Sequence, residues 1–199
     1  MLHTKNKKQL SILHAAKDLF LKHGFRRVSV EEVCKYAHVS KMTFYKYFPN
    51  KIDLAKAVFD LVMEENVLQF HTTIRENISA EDKIKKMILL KLEGTNDISN
   101  EFLQDFYSDT ELGLKEFIEV KTQEAWKLIM DDFVFAQEKG WFRKDINPAL
   151  FLIMAQKMTE LINNAAALRL YQSPQNLIMA ITNLLMYGLL PHNKIEDER

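Results

Sequence analysis

Two helix starts, Ser29-Val30-Glu31-Glu32 and Ser40, stand eleven residues apart in this chain. At the first, the Ser29 hydroxyl can accept from the amide three residues on while the Glu32 carboxylate reaches back, which is a capping box. A helix begun there must end, turn and give way to a new cap within that interval. The spacing permits only a short helix with Val33, Cys34 and Ala37 inward, a tight turn at His38-Val39, and a third helix from Ser40 through about Tyr47. A longer helix precedes the pair, from about Lys7 to His23, with Ile12, Ala15, Ala16, Leu19 and Phe20 at helical spacing and Gly24 as a left-handed stop. Pro49-Asn50 closes the third helix, and Asn50 caps a long one running from Lys51 to around Ile78. Two short helices on a tight turn, after a longer one, form a helix-turn-helix.

The third helix shows what such a corner can do. Phe44 and Phe48, four apart, pack inward on Val33, Ala37 and Leu19, leaving Lys41, Met42, Thr43, Tyr45 and Lys46 on the other faces. Positive charge, hydroxyl donors and a flat aromatic suit phosphates and base edges of double-stranded DNA. A three-helix corner with a solvated lysine face would share part of this pattern. Charge favours DNA: residues 1–51 hold eleven Lys and Arg against three Asp and Glu, and the remainder holds sixteen against twenty-four. The net charge of zero thus conceals a head of +8 on a body of −8.

The segment from Val28 to Ser40, followed by Lys41-Met42-Thr43-Phe44-Tyr45-Lys46-Tyr47-Phe48-Pro49-Asn50-Lys51, resembles the DNA-binding domain of TetR-family regulators. Phe20 and Gly24-Phe25 before the motif, Val39-Ser40 at the turn, Thr43-Phe44-Tyr45 and Phe48-Pro49-Asn50-Lys51 carry the resemblance. It implies a DNA-binding transcriptional regulator, a homodimer on a pseudo-palindromic operator, and repression relieved by a small molecule. It also implies that the Ser29 region and Lys51 hold phosphates at the edges of the site. Ser40, Lys41, Thr43, Tyr45, Lys46 and Tyr47 would then line the major groove. Two positions depart from the family pattern. His38 replaces a common Gly and must accept a left-handed conformation, which His tolerates better than most residues. Met42 also stands where Gly is frequent; it could touch a thymine methyl, so base preference does not carry over from relatives.

Beyond the head, five Gly and four Pro in 199 residues, with Leu, Lys, Glu, Ala and Met dominant, favour an all-α chain with short connections. Helices are expected from Ser79 to near Gly94, from Asn100 to Tyr107, and from about Glu111 to Lys139 before Gly140. Asn147-Pro148 and Ser173-Pro174 open two more, ending near Leu170 and Tyr187. About nine helices result: a DNA-binding domain over 1–51, and a ligand-binding and dimerisation domain over 52–199 entered through the helix from Lys51. The Lys194–Arg199 tail is expected to fray. Met63, Phe70, Phe102, Phe106, Tyr107, Trp126, Met130, Phe133 and Met158 are candidates for an adaptable, largely apolar effector pocket of the kind the resemblance implies. Residues at helical spacing equally serve as plain core. The acidic balance favours a neutral or cationic amphipathic ligand over an anionic one. One stripe holds Leu177, Ile178, Ile181, Leu184, Leu185 and Gly188, and another holds Phe151, Met154, Met158, Leu161, Ile162 and Ala165. Paired with symmetry mates they would give a four-helix dimer interface; alternatively they cap a monomer's core.

Other classes find little support. The single Cys34, on an inner helix face, reads as core, excludes an internal disulfide and fits a reducing cytoplasm. The polar start of the chain does not read as a signal peptide, and no run of eighteen apolar residues suggests a membrane span. The six histidines lack metal-ligand spacing, so no metal or cofactor is expected. No HExxH, phosphate loop or GxSxG occurs, and the chain is not expected to be an enzyme. Asp131-Asp132 and Glu64-Glu65 read as solvated faces. Rival readings are an activator or global regulator on the same fold, and an α-helical lipid- or small-molecule-binding protein or enzyme without DNA function.

Overall fold

The computed structural model describes residues 6–108, 113–162 and 164–191, without the side chains of Tyr107, Ser108 and Thr159. Its elements are α1 (Lys7–His23), α2 (Val30–Tyr36), α3 (Lys41–Tyr47), α4 (Lys51–Arg75), α5 (Ala80–Gly94), α6 (Asn100–Leu103), α7 (Leu114–Glu138), α8 (Pro148–Ile162), α9 (Ala165–Leu168) and α10 (Pro174–Tyr187). A π-helical turn, Gln104–Ser108, follows α6 directly. No strand occurs among the described residues. The expected start of α7 at Glu111 and the tail from Lys194 lie outside them.

The polypeptide divides into two compact units: residues 1–65 with 97–123, and residues 66–96 with 124–199. This division falls within α4 rather than at residue 51, because Leu54, Ala55, Val58, Phe59 and Leu61 of α4 are buried in the same core as α1, α2 and α3. In the first unit α1 packs on α2, α3 and α6. Phe20, Phe25 and Phe106 form a three-ring cluster with centroids 5.5 to 6.1 Å apart, and Phe102 lies 4.5 Å from Phe106. The α6 segment is tied to the end of α1 by Ser99, whose hydroxyl and amide both donate to the Leu21 carbonyl at 2.9 Å.

Helix stops in this unit are made by backbone geometry. Gly24 has φ +80°, and an added Cβ would lie 2.7 Å from Asp105 Oδ2 and 2.8 Å from Glu101 Cβ. At the end of α2 the amide of Val39 donates to Cys34 O at 3.0 Å and that of His38 to Lys35 O at 3.2 Å. These bonds are a Schellman motif, with His38 at φ 54° in the position glycine usually fills. The left-handed histidine expected from the sequence is therefore what shapes the turn.

The second unit is built around Ile74, Ile84, Phe133, Ala136, Phe142 and Leu189, with α10 packed on α5 and α8. Phe133 lies 5.0 Å from Phe151 and 5.2 Å from Phe142. The α4 helix ends at Arg75, short of Ile78, because Lys83 is buried beneath its terminus. The Lys83 Nζ donates to Thr73 O at 3.3 Å and Ile74 O at 3.0 Å, and also to Glu76 O. It sits 4.1 Å from the Trp141 ring centre. Burial holds this ammonium below the ordinary lysine range, with the Glu76 charge acting in the opposite direction.

Two further details differ from the sequence reading. Asp132 is not on a solvated face: it is 3% exposed, accepts from Arg75 and lies 2.9 Å from His71 Nδ1. A buried carboxylate needs such partners, and α4 supplies them. The helix opened by Pro148 does not run unbroken to Leu170. Asn164 Oδ1 accepts from the amides of Ala166 at 2.9 Å and Ala167 at 3.1 Å, starting α9 afresh. The described residues therefore hold ten α-helices rather than nine.

Glycine and histidine at these two stops respond oppositely to exchange. Gly24→Ala forces both an unfavourable backbone and a side-chain clash, and should cost at least about 2 kcal/mol. His38→Gly relieves a left-handed side chain and should be neutral or stabilising by up to about 1 kcal/mol. Urea unfolding of the two variants beside the wild type checks both signs.

Candidate nucleic-acid interface

Ser40 and Phe44 fix how α3 is presented. Ser40 caps the helix, its Oγ accepting from the Thr43 amide at 3.1 Å and lying 3.0 Å from Thr43 Oγ1. Phe44 is fully buried, 5.9 Å from Phe48, and anchors the inner face in the head core. With Phe44 inward, Met42, Tyr45 and Lys46 share the outward face at the i, i+3, i+4 positions. Met42 is 83% exposed and Tyr45 54%, the Tyr45 ring standing edge-on to Phe44 at 5.2 Å. Thr43 and Tyr47 are half-buried on the flanks, and Tyr47 packs against the core cluster.

The residues around α3 are held in defined poses. Ser29 caps α2: its hydroxyl accepts from the Glu32 amide at 3.2 Å and donates to Glu32 Oε2 at 2.8 Å, and its own amide donates to the same oxygen at 2.7 Å. Those bonds hold the Glu32 carboxyl below the usual carboxylate range. Lys41 donates to the Glu31 carboxylate. That bond raises the lysine and lowers the carboxyl from their ordinary values. Glu31 is a neighbour the sequence did not disclose, since ten residues and a turn separate it from Lys41. On the flank between α1 and α2, Leu19, His23, Arg27, Lys35, Tyr36 and His38 line an open groove of about 690 Å³.

Lys51 is placed differently from an exposed phosphate ligand. Its Nζ donates to Phe25 O at 2.8 Å, Arg26 O at 3.3 Å and Val28 O at 2.9 Å, and lies 4.3 Å from the Phe25 ring centre. Burial lowers its pKa, while the charges of Asp105 and Glu32 act to raise it. The side chain therefore ties the start of α4 to the segment that leads into α2.

The remaining sequence candidates fall into separate places. Met63, Phe102 and Phe106 belong to the core of the first unit; Phe70, Trp126, Met130 and Phe133 belong to that of the second. Met158 is half-buried, and the side chain of Tyr107 lies outside the described residues. Among the interface candidates, Met154, Leu161, Ala165 and Leu184 are exposed, and Ile162, Ile181 and Leu185 are half-buried. Leu177 is turned into the unit's own interior, at the first turn of α10.

Comparison with known proteins places this geometry. Residues 12–58, which contain α1, α2 and α3 from Ile12 onward and the start of α4, match the model for bacterial regulatory proteins of the tetR family. An uncharacterized HTH-type transcriptional regulator of Bacillus subtilis (strain 168), YdgC, is 24% identical over 192 residues, 90% of this chain and 91% of that protein. The fold is shared with the fatty acid degradation regulator FadR of Bacillus halodurans, at a TM-score of 0.67, 22% identity and coverage of 94% and 98% of the two chains. It is shared also with FadR of Bacillus subtilis in complex with stearoyl-CoA, at 0.61, 19% identity and coverage of 90% and 98%. Among the described residues no helix is long and apolar enough to cross a membrane. The head, residues 12–58, thus carries the DNA-binding domain of bacterial regulatory proteins of the tetR family, and the fold is shared with regulators of that kind along nearly the whole length.

Proposed function

We propose that this regulator is a homodimeric repressor that leaves its operator when a largely apolar or amphipathic small molecule binds. The outward face of α3 carries the reading: Met42, Tyr45 and Lys46 project from a helix locked into the core by Phe44. Ser29, Ser40, Lys41, Thr43, Tyr47 and Lys51 frame that face as the edges of a major-groove site. We read Lys51 as acting through the backbone it holds, and Lys46 as a phosphate or base contact.

The two lysines should separate in measurement. Lys46→Ala should weaken DNA binding and reduce the salt slope by about 1, leaving unfolding unchanged. Lys51→Ala orphans three carbonyls, so it should lower both stability and affinity, the affinity equally across sequences. Selection of bound DNA from a random pool supplies the operator, and titration at several salt concentrations reads the slope. Recovery of no preferred sequence would defeat the DNA-binding assignment.

Dimerisation rests on α8 and α10, which pack together and leave Leu150, Ile153, Met154, Leu161, Leu184 and Tyr187 exposed. Apolar side chains in that number on two adjoining helices fit an interface between copies. At 67% exposure, Leu184 contributes little to the protomer's own core. Leu184→Asp should therefore leave the protomer folded, move the protein to monomer and abolish operator binding. Light scattering that finds wild type monomeric at micromolar concentration would rule the dimer out.

For the effector we look to the second unit, where Phe70, Trp126 and Met130 flank the buried aromatic cluster. The stearoyl-CoA bound by a protein of this fold makes fatty-acyl compounds the first class to test, followed by hydrophobic cations and aromatic acids. Helix α4 follows α3 after three residues and continues as one helix into the second unit. A ligand that shifts α4 can move the recognition helix, but only by its differential affinity for the two states; going from 99:1 to 1:99 takes about 5.5 kcal/mol. A true effector should raise the melting temperature and weaken operator affinity together. A tight binder that leaves operator affinity untouched would break the coupling.

A further inference from the structure

We infer that Met42 reads the C5-methyl group of a thymine, so that a T·A pair at one position of each half-site determines the operator. The inference rests on the DNA-binding reading of α3 and adds to it the chemistry of one base. Met42 is the most exposed large apolar side chain among the described residues, at 83%. It shares its face with Tyr45 and Lys46, and its neighbours are already committed. The Ser40 and Thr43 hydroxyls face each other at 3.0 Å across the cap, and Lys41 is paired with Glu31.

A methionine side chain donates no hydrogen bond, and its sulfur is only a weak acceptor. In the major groove each base pair displays donors and acceptors, and thymine alone adds an apolar group. Pressed against an adenine or cytosine amino group, Met42 would strip water from a donor and return no partner. Against a thymine methyl, both apolar surfaces leave water together. The unbranched thioether chain can adjust to the methyl's position without strain. The same side chain thus favours one base and penalises its competitors.

The test uses the full-length protein and the operator obtained by selection. Each thymine is replaced in turn by deoxyuridine, which removes the methyl and changes no hydrogen-bonding group, and Kd is measured at fixed salt. At one symmetric position the wild type should lose about fourfold per methyl, and about fifteenfold when both half-sites are substituted. Met42→Ala should bind thymine and uracil operators equally, whereas Met42→Leu should retain most of the difference. Both variants should unfold as the wild type does, because the side chain is outside the core. No uracil penalty at any position, or one that persists undiminished in Met42→Ala, overturns the proposal alone. Failure of the wild type to select any DNA overturns the reading beneath it as well.

Discussion

The head depends on one ammonium group. Lys51 Nζ donates to three carbonyls of the chain between α1 and α2, and covers the Phe25 ring that packs with Phe20 and Phe106. Those carbonyls belong to an irregular segment with no helix to satisfy them, and leaving such groups buried and unpaired is expensive. One side chain with three rotatable donors solves the problem at a single point. It also ties the start of α4 to the segment that leads into α2. Gly24, where α6 and the turn after it approach the backbone within the reach of a Cβ, is the steric counterpart of that tie.

The second unit repeats the device. Lys83 meets three carbonyls at the end of α4 and lies over Trp141, as Lys51 meets three carbonyls and lies over Phe25. A buried charge is tolerable when every donor is used and an aromatic face covers the remainder. Asp132 follows the same rule with opposite sign, held by Arg75 and His71. Each of these groups fixes a helix end by chemistry that local sequence does not encode.

This explains what could and could not be read from the residues. Caps are local, so Ser29, Ser40, Asn50, Ser79, Asn147 and Ser173 announced their helices, and the structure shows each side chain accepting the expected amide. The left-handed His38 was legible through the family resemblance, because it stands where a glycine is common at the turn, and its φ of 54° agrees. Lys83 and Asp132 look from sequence like ordinary solvated charges, and Lys51 like a phosphate ligand, since the partners that hold them lie seven or more residues away. The break before α9 was hidden by an apolar pattern that continues across it. Of the interface, the outward identity of Met42, Tyr45 and Lys46 followed from the inward spacing of Phe44 and Phe48. The Lys41–Glu31 pair did not, because it depends on how two helices pack.

The separation between what holds α3 and what it displays has a mechanical consequence. Phe44 and Phe48 lock α3 into a core that also contains Leu54, Ala55, Val58 and Phe59 of α4, and Lys51 adds a polar tie at the junction. The junction at residue 51 is thus packed and hydrogen-bonded on both sides, with α1, α2, α3 and the first part of α4 sharing one core. Close-packed interiors transmit displacement rather than absorb it. A displacement of the first part of α4 is therefore shared by α3 and not taken up at residue 51. Met42, Tyr45 and Lys46 stand outside that core, so exchanging them leaves the packing behind α3 intact.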